Sequence, residues 1–190
     1  MSLEFRIAKS EEELEKVYRL RYESYVQENY FKPTDFPDMQ EKDRFDSVAI
    51  NFYAYNKSIC KMVGAIRLIP YTRLGLPLEE IYDISSFTSN GKRIAEVSRR
   101  ITLEGHVKAN FGLVQTVFQY SSKHQISDFL FIVNPKDIPQ YEKLGARMFD
   151  DIRFYEKVSN WAVPFHLDIS KCKPPYDSLI YGQNPAIIID

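Results

Sequence analysis

The sequence predicts an α+β fold in which helices flank a central, mostly antiparallel twisted sheet. Two observations carry this prediction. Several stretches have the runs or the alternation of apolar residues that are typical of strands. Three of these stretches come one after another with no predicted helix between them. Other stretches place apolar residues at helical spacing. The expected order is strand, helix, an irregular segment, three strands, helix, strand, helix and two strands.

A helix-start signal separates the first strand from the first helix. Residues 3–9 alternate like a strand, and Ser10 follows with Glu13 three residues later. This pair predicts a capping box, in which the two side chains accept hydrogen bonds from backbone N–H groups at the helix start. Apolar and aromatic residues then recur at helical spacing, at Leu14, Tyr18 and Tyr25.

The later elements follow from the same signals. Residues 29–46 are rich in Pro and Asp, which predicts an irregular segment with at most a short helix. A helix around 106–124 carries an apolar stripe, and Pro139 with Gly145 marks the start and stop of another helix. The stripe consists of Val107, Phe111, Val114 and Phe118. Strands are predicted at 48–56, 61–70, 93–103 and 128–134, and in FDDIRFYEK and WAVPFHLDI.

Composition limits the class of protein. A length of 190 residues fits one domain, residues 1–190, and 44% hydrophobic residues suffice for a core. The 25 Lys and Arg against 26 Asp and Glu argue against nucleic-acid binding and a polybasic membrane binder. Without a run of ~18 apolar residues or a secretory pattern, a soluble cytoplasmic protein is expected. Two distant cysteines, Cys60 and Cys172, and three scattered histidines predict neither a disulfide framework nor a metal site.

Charged residues at positions where the pattern expects apolar ones indicate a site. Arg21 lies on the stripe of the first helix, Arg67 interrupts a strand, and Glu96 and Arg99 interrupt another. Buried charges are costly unless paired, and the nearest acidic partners in the pattern are Asp43 and Asp46. We therefore expect three arginines, two aspartates and one glutamate to converge. A structural ion-pair network and a functional pocket both remain open.

The spacing of Glu96 and Arg99 has a geometric consequence. In strict alternation the two side chains point to opposite faces of the sheet. They can share a face only across a β-bulge, which is often found beside active sites.

Two groups of motifs resemble known families. Asn134, Tyr141 and Gly145 form N-x6-Y-x3-G directly after a strand, which resembles the signature of the GNAT superfamily of acyl-CoA N-acyltransferases. RYESYV, EKDRFD, VGAIRL and AEVSRR follow one another in the order seen in acyl-homoserine-lactone (autoinducer) synthases and N-acyl amino acid synthases. The resemblance covers roughly residues 15–145. Arg100 and the pair Tyr30-Phe31 stand near positions where autoinducer synthases have Phe and Trp, which disfavours a lactone product.

The resemblance implies an acyl thioester donor, on acyl carrier protein or CoA, and no permanently bound cofactor. The pyrophosphate loop of ordinary GNAT enzymes is missing from TLEGHVKANFG, where only Gly105 fits, and this favours the carrier protein. We expect the donor arm to follow Ile101, Thr102, Leu103, Gly105 and Asn134. An acidic carrier would need basic contacts, for which Lys92, Arg93, Arg100 and Lys108 are the nearest candidates.

The chemistry of acyl transfer suggests roles for these residues, and the resemblance adds the role of Tyr141. Glu96 is the candidate general base, with a structural ion pair to Arg99 as the alternative. Tyr141 is the candidate acid for the leaving thiolate, with ring packing as the alternative. Arg21, Arg67 and Arg99 would hold a substrate carboxylate, and Asp43 and Asp46 would position them or bind the acceptor ammonium.

The sequence thus predicts an N-acyltransferase that acylates a small amine bearing a carboxylate, such as an amino acid. Three alternatives remain: an autoinducer synthase that uses S-adenosylmethionine, an ordinary acetyl-CoA acetyltransferase, and a non-catalytic module that binds an acyl carrier.

Overall fold

A computed structural model describes residues 2–89 and 91–172. The expected domain of residues 1–190 therefore includes residues outside the described ones. Within the described residues, eight strands form the sheet in the order β1-β2-β3-β4-β5-β8-β6, and β7 pairs with β8. Only β4 and β5 are parallel; the other pairs are antiparallel. The strands are β1 (Leu3–Ile7), β2 (Ile50–Asn56), β3 (Lys61–Pro70), β4 (Ile94–Thr102), β5 (Asp128–Val133), β6 (Arg147–Met148), β7 (Arg153–Tyr155) and β8 (Asn160–Asp168). The predicted fold class is confirmed.

The described part of the chain has four α-helices: α1 (Glu11–Gln27), α2 (Ser85–Thr88), α3 (Val107–Lys123) and α4 (Ile138–Leu144). The predicted capping box begins α1, with Glu13 N donating to Ser10 Oγ at 3.2 Å. Gly145 ends α4 in the left-handed region at φ 104°, as its place after the helix predicted. The sequence did not predict α2 and β6, because four and two residues are too few to show a period. Among the described residues, no helix is long and apolar enough to cross a membrane.

The helices cover opposite faces of the sheet. Val17 and Leu20 of α1 pack on Tyr53, Ala65 and Ile101. On the other face, α3 packs its own buried residues into the largest apolar cluster. At Gly112, α3 approaches β1 so closely that a Cβ would overlap the Phe5 ring.

The apolar stripe that predicted α3 is not the face that the helix buries. Val107 is 67% exposed and Phe111 58% exposed, whereas Leu113 and Val117 are buried. Helix α3 therefore turns a neighbouring stripe toward the sheet, and the choice is set by how closely Gly112 lets it approach. Phe118 is buried as predicted.

Two irregularities in β4 prepare the site. The strand pairs with β5 only from Ile94 to Glu96, so the two strands separate beyond that point. On its other side, Ala65 pairs with Ile101 while Arg67 pairs with Ser98, so β4 contains an extra residue there. Arg99 lies in this stretch with φ 54°. The predicted β-bulge is therefore present, and it changes the face toward which the following side chains point.

Candidate active site

A cavity of about 420 Å³ lies where β4 and β5 separate. Residues from both faces of the sheet line it. Glu96, Ser98, Arg99, Asp43 and Tyr155 give one part of the wall its polar groups. The apolar part is lined by Ile66, Val97, Val114, Val117, Phe118, Phe129, Phe131, Val133, Leu144 and Leu167. The cavity can therefore hold a molecule with a polar head and an apolar chain.

Beside the polar part lies a cluster of buried ion pairs, made of Arg21, Glu41, Asp43, Asp46, Arg67 and Arg99. Arg21, from α1, donates from Nε to Glu41 at 2.5 Å. Its Nη1 and Nη2 donate to the two oxygens of Asp46 at 2.8 and 3.1 Å. This is the paired geometry in which a guanidinium binds a carboxylate most strongly.

The other two arginines complete this ion-pair cluster. Arg67 Nη1 donates to Asp43 at 2.9 Å and to Asp46 at 3.0 Å. Arg99 Nε donates to Glu41 at 3.0 Å, and its Nη2 lies 3.6 Å from Asp43. The structure therefore brings together the five residues Arg21, Asp43, Asp46, Arg67 and Arg99 that the sequence grouped. Their roles toward a substrate stay predictions.

The glutamate of this cluster is Glu41, where the sequence analysis expected Glu96. Glu41 is 1% exposed and bridges Arg21 and Arg99. It precedes the two aspartates in EKDRFD, within an irregular segment. An irregular segment has no apolar periodicity, so a buried charge in it cannot be recognised from the pattern. The signal for Glu41 in the sequence was its place in the acidic motif EKDRFD.

Neighbouring arginines favour the ionised forms of two acids of the cluster, Asp46 and Glu41. Burial alone would raise the pKa of Asp46, but hydrogen bonds from Arg21 and the charges of Arg21 and Arg67 outweigh it and hold the pKa at about 2. Burial likewise opposes ionisation of Glu41, and the charges of Arg99 and Arg21 nonetheless lower its pKa. Three positive and three negative groups thus neutralise one another inside the domain.

The members of the cluster differ in access to the cavity. Arg21 and Arg67 side chains are 0% exposed and do not line the cavity, so neither reaches a substrate in this conformation. Arg99 and Asp43 are each 17% exposed, and both line it. Within the cluster, Arg99 and Asp43 are therefore the groups that can contact a ligand.

Glu96 lies at the cavity outside the ion-pair cluster. Its Oε2 accepts a hydrogen bond from the backbone N–H of Leu78 at 2.9 Å. No ion pair involves it among the described residues, because Arg99 is paired with Glu41 and Asp43 instead. Burial raises the pKa of Glu96 to about 7, against the opposing effects of Arg67, the Leu78 N–H and Arg99. A carboxylate in this state can both accept and release a proton near neutral pH.

Tyr141 and Asn134 also line the cavity. The Tyr141 ring contacts Phe131 and Phe165, with centroids 5.1 and 6.0 Å away, and Arg100 lies over it at 5.7 Å. Burial raises the pKa of Tyr141, so the hydroxyl keeps its proton at neutral pH. The Asn134 side chain accepts from Lys136 N at 3.2 Å and thereby caps the turn after β5.

The structure does not bring the remaining predicted donor contacts to the cavity. Ile101, Thr102, Leu103 and Gly105 do not line it. Ile101 packs against α1, and Leu103 N donates to Val63 O at 2.9 Å. They follow the bulge, where β4 is still paired with β3.

Most of the predicted basic contacts are also elsewhere. Lys92 is paired with Asp128 and Arg93 with Gln125, and neither lines the cavity, nor does Lys108. Arg100 does line it, together with Lys136 and Lys157.

Aromatic residues at the end of α1 form one further wall. Tyr25, Tyr30 and Phe31 line the cavity, and the Tyr25 ring lies 5.7 Å from each of the other two in edge contact. Arg99 lies over Tyr25 at 5.7 Å. Nothing in the sequence pattern alone placed Tyr25 here, because it also fits the apolar stripe of α1.

The mostly antiparallel sheet, with β4 and β5 separated around a cavity, defines a protein of the GNAT-type fold. Within this class, the chain belongs to the N-acyl amino acid synthase FeeM family, whose model matches residues 16–168. The protein is therefore an N-acyltransferase. A comparison with curated protein sequences gives no match.

Solved structures show the same fold. FeeM, an N-acyl amino acid synthase from uncultured soil microbes, has 22% identity and a TM-score of 0.76, over 89% of this chain and 91% of that one. The CoA-dependent acyl-homoserine lactone synthase BjaI, with SAM and isopentyl-CoA, has 19% identity and a TM-score of 0.77, over 99% and 93%. The AHL synthase LasI has 12% identity and a TM-score of 0.67, over 99% and 98%.

Proposed function

We propose that this protein transfers a medium or long acyl chain from a carrier-protein or CoA thioester to the α-amino group of an amino acid. The observation that carries the proposal is the division of the cavity into a polar part beside Glu96 and Arg99 and an apolar part under α3. Acetyl transfer would leave the apolar part unfilled. The FeeM family adds support, since its name states an amino acid product.

Glu96 acts as general base in this proposal. An α-ammonium group has a pKa of ~8 and must lose its proton before it can attack. Glu96, with its pKa raised to about 7, takes that proton either directly or through a water molecule. The amine nitrogen then bonds to the thioester carbonyl carbon and gives a tetrahedral oxyanion. When that intermediate collapses, the C–S bond breaks, and Tyr141 supplies a proton to the leaving thiolate. The attacking nitrogen, which is positively charged in the intermediate, loses its second proton to the Tyr141 phenolate through water, which leaves a neutral amide and restores Tyr141. Glu96 then releases its proton to solvent.

The separation of β4 from β5 supplies donors for the oxyanion. Beyond Glu96, β4 has no β5 partner, so backbone N–H groups on that side are not used by the sheet. Fixed N–H groups that face a developing oxyanion stabilise it strongly. The bulge at Arg99 lies in the same stretch and sets the direction of these groups.

Arg99 and Asp43 bind the acceptor. A guanidinium suits the carboxylate of an amino acid, and a carboxylate suits its ammonium group. Both side chains line the cavity, and Arg99 lies over the Tyr25 ring. Arg21 and Arg67 position these two residues. Arg67 donates to Asp43, and Arg21 donates to Glu41, which also accepts from Arg99.

The second candidate function is lactone synthesis from S-adenosylmethionine. The likeness to BjaI, whose structure contains SAM and isopentyl-CoA, favours it. Arg100 and Tyr30-Phe31 argue against it, as described from the sequence.

The decisive test measures free thiol and product with purified protein. Decanoyl carrier protein and decanoyl-CoA are each supplied with the twenty amino acids or with S-adenosylmethionine, and products are identified by mass spectrometry. We expect thiol release and an N-decanoyl amino acid. An acyl lactone formed only with S-adenosylmethionine would support the second function, and no thiol release with any acceptor would indicate a binding module. The Glu96→Gln variant is the control for background aminolysis.

A further inference from the structure

The hairpin formed by β7 and the start of β8 stands across the cavity mouth. Five of its residues, Tyr155, Lys157, Val158, Asn160 and Trp161, line the cavity. The hairpin pairs Arg153 with Ala162, Phe154 with Trp161 and Tyr155 with Asn160. The rings of Phe154 and Trp161 are in edge contact at 5.6 Å, and both are about half exposed.

Polar contacts, rather than a core, hold this hairpin to the domain. None of residues 153–161 is buried. Tyr155 Oη donates to Glu80 Oε2 at 2.6 Å, and Lys157 Nζ lies 3.4 Å from the same carboxylate. Arg153 donates to the Ile81 carbonyl at 2.6 Å. Arg153 also lies over the Tyr82 ring at 5.0 Å, and Asn160 Oδ1 accepts from Asn134 Nδ2 at 3.5 Å. Segments with few buried apolar contacts open at low free energy, so these few contacts, the pair to Glu80 among them, decide the position of the hairpin.

The chain on the far side of the hairpin is firmly fixed. Ala162 is 1% exposed, and its carbonyl accepts from Tyr82 Oη at 2.8 Å. The following residues of β8 pair with β5 in the core. The change from weakly fixed to firmly fixed backbone therefore occurs at Ala162, directly after Trp161.

We propose that the hairpin of residues 153–161 is a flap over the cavity mouth, held closed by Glu80, and that it opens to admit the acyl donor and release the product. The inference rests on the proposed function for its substrates, but the flap itself follows from the contacts above. Closure places Tyr155 and Trp161 on the cavity wall, which limits access of water to the thioester. The tie to Glu80 is present at neutral pH, because its bonds to Tyr155 and Lys157 outweigh burial and lower the pKa of Glu80.

The first test uses the free protein. Trp161 is the single tryptophan of the chain, so its fluorescence reports on the flap alone. Glu80→Ala and Tyr155→Phe should increase acrylamide quenching, by up to about 1.8-fold, the inverse of the 55% exposure of Trp161. The matched control is Tyr53→Phe, which removes another tyrosine–glutamate hydrogen bond of 2.6 Å, to Glu13 on α1. Unchanged quenching in both flap variants would overturn the proposal.

The second test closes the flap covalently. Glu80→Cys and Tyr155→Cys are combined in a background with Cys60→Ser and Cys172→Ser, and joined by a bifunctional thiol reagent that contains a reducible disulfide. Thiol release from decanoyl carrier protein should fall at least tenfold after crosslinking and return on reduction. The same reagent applied to the background is the control. Full turnover in the crosslinked protein would overturn the proposal.

The two tests separate the flap from the proposed reaction. Quenching needs no substrate, so a wrong acceptor or donor leaves its result unaffected. If the wild-type protein turns over no donor at all, the proposed function fails, while the quenching measurement still decides whether Glu80 holds the flap.

Discussion

Glu41 and Glu96 are both buried within the same small domain, yet their surroundings assign them opposite chemistry. Glu41 lies between two guanidinium groups, which lower its pKa. Glu96 has a backbone N–H as its hydrogen-bond partner, and burial raises its pKa to about 7. A group that stays ionised serves structure, and a group that titrates near neutral pH can serve as a base.

The first prediction at the scale of residues concerns Glu96→Gln. The change keeps the shape of the side chain and removes the proton acceptor, so turnover should fall by ~10²–10⁴-fold. The loss should shrink as the pH rises, where the amine is already deprotonated. In the wild type, kcat/KM should fall as the pH drops below about 7, the pKa of Glu96. A pH–rate profile of both proteins checks this.

Thermal unfolding of the same preparations provides the control. The raised pKa of Glu96 means that the folded state favours its protonated form. The stability contributed by protonation is therefore present at low pH and is lost as the pH rises to about 7. Glu96→Gln should unfold no more easily than the wild type at pH 8. An unstable but active variant would remove Glu96 from the mechanism.

The second prediction concerns Glu41→Gln. It leaves Arg21 and Arg99 without their shared charge in a buried site, and it should destabilise the fold toward the lower end of the about 3–5 kcal/mol measured when one partner of such a pair is removed. Urea unfolding measures the change. The matched control is Glu12→Gln, which breaks the exposed pair with Lys16 and should leave the unfolding midpoint unchanged. Equal midpoints for the two variants would contradict the structural role of Glu41.

Among the secondary-structure elements, α3 shows that apolar periodicity can predict a helix without predicting which of its faces is buried. The apolar stripe of Val107, Phe111, Val114 and Phe118 is real as a helical pattern, but half of it faces solvent. A helix with apolar residues on more than one stripe can be placed in more than one rotation. The close approach of Gly112 to β1 decides the rotation that is observed.

The third prediction tests that rotation. Leu113→Ala empties a fully buried position and should cost about 2–5 kcal/mol of unfolding free energy. Phe111→Ala removes a larger side chain that is 58% exposed, and it should change the unfolding free energy by less than about 0.5 kcal/mol. Chemical denaturation of both variants gives the comparison. A larger loss for Phe111→Ala would show that α3 buries the stripe predicted from the sequence.

At the scale of the whole molecule, the sheet divides the cavity by chemistry. The residues on the α1 side provide charges, and those under α3 provide apolar surface. The gap between β4 and β5 joins the two, so a thioester carbonyl can meet an amine there while the chain lies in the apolar part. A substitution in the apolar part should therefore change the preference for acyl-chain length and leave binding of the acceptor unchanged.

The fourth prediction tests this division. Val114 lines the apolar part and is only partly buried, so Val114→Phe should fill space there with little effect on folding. Turnover of dodecanoyl donors should fall at least tenfold relative to hexanoyl donors, and KM for the amino acid should stay within twofold. Kinetics with the two donors on carrier protein measure both. A change in acceptor KM without a change in chain-length preference would contradict the division.

The longer helices and strands, the capping box and the helix end at Gly145 could be predicted from the sequence, because they depend on short-range periodicity and backbone chemistry. Most of the charges that converge could also be identified there. Three features required the folded structure: Glu41 takes the place expected for Glu96, α3 exposes Phe111, and Ile101 to Leu103 do not reach the cavity. Each of these depends on which groups meet across long sequence separations, such as the separation of 58 positions from Glu41 to Arg99. Local pattern contains no information on such distances.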